Sequence, residues 1–457
     1  MIFTQYYLDC LSHASYLVGD ESTGRAVVVD PRRDVDEYVA DAESAGLTIE
    51  RVLETHVHAD FVSGHLELAA RTGAVISYGE DAELDFAVEP LADGRRLSLG
   101  DVTLEILATP GHTPESISIV VYERAGAAPY GVLTGDTLFI GDVGRPDLLA
   151  AGGLTPDEMA RQLYRSLEKL VALPDGTRVY PAHGAGSACG KQLSSETVST
   201  IGEQRAANYA LAPMSEDEFA ALVTEGQPLA PGYFSYDAQR NREARPLLEE
   251  HEPPPSLDID EVLDRVGEGT VVLDTREPSE FARGHLRGSI NVWLASRFAE
   301  FAGDVVRPDQ EVVIVAEPGA ELEARIRLAR IGFDRVVGAL SEPERTFVTR
   351  PEAVESSSRL SVDQLRERSR EIPGLVVLDV RNPGEQAGGL IPGAVPTPLP
   401  QLTEALRSLD PRATTVVYCA SGARSSIAAS VLRARGFADV SDLLGGYEAY
   451  TREEHAA

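Results

Sequence analysis

The stretch RVLETHVHADFVSGH, residues 51–65, begins as an apolar strand and ends in a cluster of potential metal ligands. His56 and His58 are separated by one residue, and Asp60 follows at the same spacing. Imidazole nitrogens and carboxylate oxygens grouped in this way are typical of a metal site. The next residue, Phe61, cannot bind a metal ion, so the number of ions that the site holds becomes the question to answer.

The same pattern of an apolar strand followed by a potential ligand recurs along the chain. VTLEILATPGH ends on His112, GVLTGDT contains Asp136, and TRVYPAHG contains His183. Because the strands of a sheet bring their ends to a common edge, we expect these side chains to converge with His56 despite their separation in sequence. The sequence therefore predicts a metal site assembled from several strand ends.

Composition excludes several classes of function. A net charge of −32 argues against nucleic-acid binding, because a phosphate backbone would be repelled. The N-terminus lacks the basic start and apolar run of a signal peptide, and no segment has the length needed to span a bilayer, so we expect a cytoplasmic protein with no membrane partner. Three cysteines far apart do not form a disulfide framework. The sequence leaves a homo-oligomer open.

Two linker-like segments divide the chain of 457 residues, which is too long for a single core. LLEEHEPPPSLD, residues 247–258, is acidic and rich in proline, and RPEAVESSSRLS, residues 350–361, is polar. The expected domains are residues 1–245, 256–350 and 359–457.

The second and third domains carry an internal repeat. VVLDTREPSEF, from Val271, matches VVLDVRNPGEQ, from Val376, and VVIVAEPGAELEARIRLARIGF, from Val312, matches VVYCASGARSSIAASVLRARGF, from Val416. A spacing of about a hundred residues indicates a duplicated domain, since solenoid repeats are much shorter. In each copy short β-branched runs alternate with helical patterns, which predicts α/β domains with parallel sheets.

In the first domain the ordered series THVHAD, PGHT, TGDTLF and PAHG resembles the metallo-β-lactamase fold, an αββα sandwich of two sheets with outer helices. Within that fold the domain looks most like the persulfide dioxygenases, with the thioester hydrolases of the glyoxalase II type as the nearest relatives. The resemblance implies that His56, His112 and Asp136 hold one Fe(II) per chain, with open positions for dioxygen and substrate.

Phe61 distinguishes the dioxygenase from the hydrolase in this comparison. In the two-metal relatives the residue after the motif aspartate is a histidine that binds the second ion, and a hydrolase needs that ion. One ion is therefore expected here, and His58, Asp60 and His183 become groups that orient the ligands and pass protons. The alternative for these three residues is a hydrogen-bond network without a catalytic part.

Two more residues of the first domain are candidates through the resemblance. GDVGRPDL, residues 141–148, looks like the loop that closes the dioxygenase pocket, and its Arg145 is expected to bind the carboxylate or phosphate of a thiol carrier. The alternative is an arginine paired with a local acid. Cys189, in GSACGK, resembles a segment of dioxygenases that are fused to rhodanese domains, and it is a candidate carrier of sulfane sulfur. An inert buried thiol is the alternative.

The third domain places Cys419 at the tip of an apolar strand, before a short loop and an alanine-rich helix. Backbone N–H groups of the loop and the positive charge of Arg424 would stabilise a thiolate or a persulfide there. Four residues separate the two side chains, whereas cysteine phosphatases have five. With Asp379 and Arg381 as a structural pair, the domain closely resembles a single-domain rhodanese, in which Cys419 carries the sulfur.

The middle copy has Val315 where the third domain has Cys419, and Ala320 where it has Arg424. Both the nucleophile and its charge partner are absent from the sequence. We expect this copy to keep the rhodanese fold without sulfur transfer and to act as a spacer or a docking surface.

These resemblances cover the whole chain and imply a fused enzyme for sulfide detoxification. The first domain would oxidise a thiol persulfide with O2 to sulfite and thiol, and the Cys419 persulfide would pass its sulfur to sulfite to give thiosulfate. The opposite flow, from Cys419 to the iron, stays open, as does the identity of the thiol. The alternatives are a thioester hydrolase of the glyoxalase II type and a sulfur-relay protein with an inert first domain.

Overall fold

The computed structural model of the chain describes residues 1–148 and 153–454. The last residues of the third expected domain, 455–457, lie outside the described residues. Within the described part of the chain, every helix is too short or too polar to cross a membrane.

The backbone divides into two compact units. The first unit comprises Met1–Ala230 and Phe234–Glu249, and it contains every strand end that carries a candidate metal ligand. The second unit comprises Pro231–Tyr233 and Glu250–Ala457, and it contains both copies of the internal repeat.

Two six-stranded sheets form the centre of the first unit. The first sheet is antiparallel over its first three strands and parallel over the rest, and the second is antiparallel except for one parallel pair. From edge to edge, the first sheet contains β1 (Ile2–Leu8), β2 (His13–Asp20), β3 (Arg25–Val29), β4 (Thr48–Leu53), β5 (Val75–Gly79) and β6 (Glu89–Leu91). The second contains β7 (Arg96–Ser98), β8 (Thr103–Ala108), β9 (Ile117–Tyr122), β10 (Gly131–Gly135), β11 (Arg178–Pro181) and β12 (Ser199–Thr200).

The two sheets pack face to face through alternating apolar side chains, as Val27 and Val29 of β3 and Ile106 of β8 illustrate. Helices cover the outer face of each sheet: Leu68 packs on the first and Leu163 on the second. The helices of this unit are α1 (Asp36–Ser44), α2 (His65–Thr72), α3 (Pro156–Val171), α4 (Ile201–Ala207), α5 (Glu216–Thr224) and α6 (Phe234–Arg240), with a short 3-10 helix at Tyr209–Leu211. The predicted αββα sandwich is confirmed.

Helix α3 supports the loop that carries His112. Thr155 caps its first turn in a reciprocal pair with Glu158, which satisfies two backbone donors at the helix start. In the loop, Gly111, the residue before His112, has φ of +146°. A Cβ atom at Gly111 would lie 2.4 Å from the Cα of Leu163 on the helix. Only glycine allows the loop this conformation and this close approach.

Each copy of the repeat forms a five-stranded parallel sheet, and the strand order is the same in both. From edge to edge, the middle copy has β13 (Ser256–Leu257), β18 (Val336–Leu340), β17 (Val312–Val315), β14 (Val271–Asp274) and β16 (Ile290–Asn291). The third has β20 (Ser358–Leu360), β24 (Val440–Leu443), β23 (Thr415–Tyr418), β21 (Val376–Asp379) and β22 (Val395–Pro396). Both predicted parallel α/β domains are therefore present.

A small antiparallel pair joins β15 (His285–Leu286) to β19 (Val354–Glu355), so the segment that we expected to be a linker adds a strand to the middle copy. The helices of the second unit surround the two parallel sheets. They are α7 (Ile259–Gly267), α8 (Pro278–Arg283), α9 (Phe298–Val305), α10 (Glu321–Ala329), α11 (Pro343–Thr349), α12 (Val362–Glu371), α13 (Pro383–Gln386), α14 (Leu402–Ala405), α15 (Ala423–Ala434) and α16 (Gly446–Glu454), with 3-10 turns at Pro351–Ala353, Leu399–Gln401 and Leu406–Ser408.

Candidate functional site

Strand ends from both sheets bring His56, His112 and Asp136 together. His56 follows β4, His112 follows β8, and Asp136 comes directly after β10. One potential ligand atom of each residue lies within 4.8 Å of the others, and all three side chains are buried. The fold thus assembles the three residues that the resemblance implies as metal ligands.

Hydrogen bonds on the far side of each ring orient the two imidazoles. Nδ1 of His112 lies 2.9 Å from the carbonyl oxygen of Arg145, so Nδ1 carries the proton. Nδ1 of His56 lies 3.0 Å from Oγ1 of Thr55, whose own proton is donated to a buried carboxylate. Nε2 of each ring then has a free lone pair, which faces Oδ2 of Asp136 at 3.5 Å for His112 and 3.9 Å for His56.

These donor atoms fit a bound metal ion. Lone pairs that face a buried carboxylate repel it, and a cation between them turns that repulsion into attraction. Among the described residues, Nε2 of His56 and both carboxylate oxygens of Asp136 have no hydrogen-bond partner. Two imidazoles and one carboxylate are a ligand set that suits a divalent transition metal.

Asp60 and His183 lie beside this triad and share Asp136 with it. Nε2 of His183 is 3.2 Å from Oδ2 of Asp60 and 3.5 Å from Oδ1 of Asp136. Nδ1 of His183 donates to the carbonyl oxygen of Ser12 at 3.2 Å, so a lone pair faces carboxylates here as well. This contact requires either a shared proton or a second cation.

His58 forms a second cluster with Asp60 and His183, since one of its ligand atoms lies within 4.8 Å of theirs. Its Nε2 also lies 3.1 Å from Oδ1 of Asp30 and 3.4 Å from Oε2 of Glu54, both of which are buried. Burial acts to lower the pKa of His58, but these carboxylates raise it well above the ordinary value. Neither carboxylate was singled out in the sequence, where Glu54 reads as the end of an apolar strand.

Phe61 is fully buried, and its ring packs between two histidines. The ring centroids lie 4.1 Å from His13 and 4.4 Å from His58. His13 was not predicted as a site residue, because no other potential ligand lies near it in the sequence. It reaches the site because β2 begins opposite His183. Burial lowers the pKa of His13 well below its usual range, so its ring is neutral.

Arg145 is held inside the protein. Its side chain is only 4% exposed, and its guanidinium donates to Asp147 at 2.7 and 2.8 Å and to the carbonyl oxygens of Ala188 and Pro228. An anionic substrate would therefore have to replace Asp147 as its partner. This arrangement is that of the alternative, an arginine paired with a local acid, and its carbonyl oxygen orients His112.

Cys189 lies at the metal site itself. Its Sγ and ligand atoms of Asp136 and His183 are within 4.8 Å of one another. Burial raises the pKa of this thiol well above its usual value, and the charges of Asp60 and Asp136 raise it further. The side chain is 1% exposed and protonated at neutral pH, which is the state of the inert buried thiol unless a cation binds beside it.

In the third domain Cys419 directly follows β23 and is buried. The backbone N–H of Gly422 donates to its sulfur at 3.1 Å, and Oγ of Ser425, on the first turn of α15, lies 3.6 Å away. Gly422 has φ of +118°, a conformation in which the loop turns its N–H inward. Of the expected backbone donors to the sulfur, the N–H of Gly422 is present, while Oγ of Ser425 accepts from the thiol and donates to the carbonyl oxygen of Gly422.

Arg424 makes a bidentate ion pair with Glu385, with two bonds of 2.7 Å. Burial acts to raise the pKa of Glu385, but Arg424 holds it below its ordinary value. The carboxylate stands in the quoted motif LDVRNPGE, where the sequence analysis assigned it no role. Glu385 and Arg424 are 39 residues apart in the sequence, so their contact is seen only in the folded structure.

The structural pair Asp379 and Arg381 is buried, with contacts of 2.6 and 3.0 Å. The middle copy keeps the equivalent pair of Asp274 and Arg276. The strand register corrects one expectation: Asp274 pairs with Val315 as Asp379 pairs with Tyr418, so Ala316, and not Val315, lies where the third copy has Cys419. Both side chains are buried, and neither has a nucleophilic atom.

Comparison with family descriptions agrees with this architecture. The metallo-beta-lactamase superfamily matches residues 8–183, and the rhodanese-like domain matches residues 258–342 and 361–453. The first match contains all four strand-end motifs of the metal site, and the others coincide with the two copies of the repeat.

Three relatives are each similar to about half of the chain. A beta-lactamase hydrolase-like protein of Xylella fastidiosa is 31% identical over 242 residues, which are 46% of this chain and 52% of that protein. A mitochondrial persulfide dioxygenase of Bos taurus is 32% identical over 214 residues, 46% of this chain and 75% of that protein. A hydroxyacylglutathione hydrolase of Rhodospirillum rubrum is 31% identical over 228 residues, 50% of this chain and 80% of that protein. The chain spans about half the length of the first of these relatives.

Among solved structures, a metallo-beta-lactamase from Staphylococcus aureus is 33% identical and superposes with a TM-score of 0.67. The similarity covers 74% of this chain and 98% of that one. Because relatives more than 30% identical are matched over most of their own length, the chain belongs to the metallo-beta-lactamase superfamily, and two rhodanese-like domains follow its metallo-beta-lactamase domain.

Proposed function

We propose that the first unit is a persulfide dioxygenase. In this reaction the terminal sulfur of a thiol persulfide gains three oxygen atoms, two from dioxygen and one from water. The S–S bond breaks, the thiol leaves with one proton, and sulfite and two further protons are released. Dioxygen is the oxidant and is fully consumed, so no other redox partner is needed.

The observation that carries this proposal is the buried ligand set of two imidazoles and one carboxylate formed by His56, His112 and Asp136. These residues would hold iron(II), which would supply the binding and activation of dioxygen beside the persulfide. Phe61 supports one ion per chain, because its buried ring occupies the neighbourhood of Asp60 without offering a ligand atom.

The other groups of the site have roles that follow from their contacts. The carbonyl oxygen of Arg145 and the hydroxyl of Thr55 fix the rings of His112 and His56. With one ion bound, Asp60 and His183 share a proton between Oδ2 and Nε2, which are 3.2 Å apart. That proton is available to the departing thiolate.

A thioester hydrolase is the second candidate, and one contact favours it. Asp60, His183 and Asp136 retain much of a second metal site, with carboxylate oxygens facing a lone pair. Two bound ions would share and activate one water molecule, and the second ion would stabilise charge on the side opposite the first. Such an enzyme turns over without oxygen, so metal count and oxygen dependence separate the two reactions.

The third domain is proposed to transfer sulfur through Cys419. Sulfite attacks the outer sulfur of the Cys419 persulfide, the S–S bond to Sγ breaks, and its electron pair returns to Sγ as thiolate while thiosulfate leaves. The N–H of Gly422, which donates to the sulfur, stabilises that thiolate. The middle domain, with Ala316 at the equivalent position after β17, takes no part in bond making.

Oxygen consumption by the iron-loaded full chain, with glutathione, coenzyme A and other thiol persulfides in turn, tests the proposal. We expect uptake with at least one persulfide and sulfite or thiosulfate as product. Turnover of a thioester without oxygen and with two bound ions would identify the hydrolase instead. Sulfur transfer without any oxygen uptake would leave only the relay function of the third domain.

A further inference from the structure

Helix α15, which begins beside Cys419, is buried along most of its length. Every residue from Ser425 to Leu432 is buried, whereas a helix on the surface of an α/β domain exposes one face. Its own sheet, through β23 and β24, covers one side, and strand β16 of the middle copy covers another. The middle domain therefore packs directly on the helix that forms the sulfur-transfer loop.

Two hydrogen bonds fix this contact, and both involve Asn291 of the middle domain. Its backbone N–H donates to Oγ of Ser430 at 3.0 Å, and its Oδ1 accepts from Oγ of Ser426 at 2.8 Å. All three residues are at most 4% exposed. Buried polar groups bonded across a domain boundary define one relative position, because a displacement leaves them unpaired.

Asn291 is itself anchored inside the middle domain. Its Nδ2 donates to the carbonyl oxygens of Asp274 and Arg276, at 3.1 and 2.9 Å. The middle copy has Ala316 in place of a nucleophile, yet it retains the buried ion pair of Asp274 and Arg276, whose loop holds Asn291 in place. The contact runs in one direction only, because the equivalent strand β22 of the third copy is exposed.

A short path leads from this contact to the sulfur. Ser426 adjoins Ser425, whose hydroxyl lies 3.6 Å from Sγ of Cys419. The N–H of Gly422, 3.1 Å from the same sulfur, belongs to the residue that precedes the helix. A shift of α15 against β23 would therefore change both hydrogen-bond distances at the sulfur, the one it accepts from Gly422 and the one it donates to Ser425.

We propose that the middle rhodanese-like domain is the positioning half of the sulfur-transfer site, and that Asn291 is its positioning residue. It acts through Ser426 and Ser430, which set the place of α15 relative to Cys419. The middle domain is then a required support of the chemistry and more than a spacer. The inference rests on the proposed role of Cys419 as sulfur carrier.

The test uses the full chain with Ser426→Ala and Ser430→Ala as separate variants, so that one informative protein remains if the other does not fold. Ser369→Ala is the matched control, because its hydroxyl bonds Leu365 within a helix of the third domain and touches neither the loop nor the middle domain. The rate of Cys419 alkylation by iodoacetamide is measured by peptide mass spectrometry from pH 5 to 10, alongside kcat and KM for thiosulfate-to-cyanide transfer.

Loss of one such hydrogen bond should lower the alkylation rate of Cys419 at pH 7 by about two- to tenfold and move the pH midpoint upward. The value of kcat should fall more than KM changes, and Ser369→Ala should match the wild type. Unchanged alkylation profiles in both Ser426→Ala and Ser430→Ala would overturn the inference. A wild-type chain that transfers no sulfur would instead refute the role of Cys419, since alkylation does not depend on turnover.

Discussion

Arg424 of the sulfur-transfer loop donates two hydrogen bonds, each 2.7 Å long, to the carboxylate of Glu385. The positive charge expected to act on the sulfur of Cys419 is therefore shared with a partly buried acid on helix α13. The pair links the first turn of α15 to helix α13. Arg424 therefore supports the conformation of the loop around Cys419 as well as contributing charge.

Arg424→Ala should reduce sulfur transfer by about ten- to a hundredfold, because it removes a charged hydrogen bond worth roughly 1.5–3 kcal/mol and leaves Glu385 unpaired beside the loop. Arg424→Lys should recover only part of the rate, since an ammonium group cannot make the bidentate contact. Thiosulfate-to-cyanide turnover measures both. Arg412→Ala is the matched control, as its ion pair with Asp410 is exposed; a loss there of equal size would contradict the assignment.

The Glu385 pair should also make the third domain sensitive to acid. Arg424 holds the pKa of Glu385 below 4.5, so the stabilisation is complete above that value and is lost as the pH falls through the depressed pKa. Hydrogen exchange of the peptide that contains α15 should therefore be slower in the wild type than in Glu385→Gln at pH 7. That difference should shrink below pH 4.5. A gap that stays constant with pH would exclude the ion pair as its cause.

Removal of a ligand imidazole should remove the metal. His112→Ala should lose both bound iron and persulfide-dependent oxygen uptake, because two remaining ligands do not hold the ion. Elemental analysis of the purified chain gives the metal content, with one ion per chain expected in the wild type. His251→Ala, which changes an exposed residue outside the site, should retain both properties. Retention of iron in His112→Ala would show that the triad is not the site.

Phe61→His places an imidazole after Asp60 in the chain, between His13 and His58, where it offers a further ligand atom for a second ion. We expect the metal content to rise from one ion per chain toward two, and oxygen uptake to fall as the second ion alters the pocket. Phe61→Leu serves as the control, since it shortens the buried side chain without adding a ligand atom. If metal content stayed at one in Phe61→His, Phe61 would not be what limits the site to one ion.

Cys419→Ser separates the two activities. Serine cannot carry a sulfane sulfur, whereas the metal ligands lie in the other unit, so persulfide-dependent oxygen uptake should remain largely intact. Thiosulfate should disappear from the products, and sulfite should accumulate in its place; ion chromatography of the reaction mixture quantifies both. Loss of oxygen uptake in this variant would mean that Cys419 delivers persulfide to the first unit, which reverses the proposed flow.

The order of strands and ligands could be predicted because each motif is local. His56, His112 and Asp136 each end or follow an apolar run, and strand ends of a sandwich meet at one edge whatever the chain length between them. The duplicated domain was equally visible, since the motifs of the middle copy recur about a hundred residues later in the third. The contacts of Arg145 could not be predicted in this way, because its carbonyl partners Ala188 and Pro228 lie 43 and 83 residues away in the sequence.

The sequence by itself predicted the fold classes along the chain, the convergence of His56, His112 and Asp136, and the place of Cys419 at a strand end, since periodicity, motif order and internal repetition are properties of the chain. Only the tertiary structure decided which groups surround those residues. Glu385 reaches Arg424, and Asn291 reaches Ser426 across 135 residues, through packing of whole elements against one another. Which groups become partners depends on where the packed elements place buried polar atoms within hydrogen-bonding distance. No local sequence pattern contains that information.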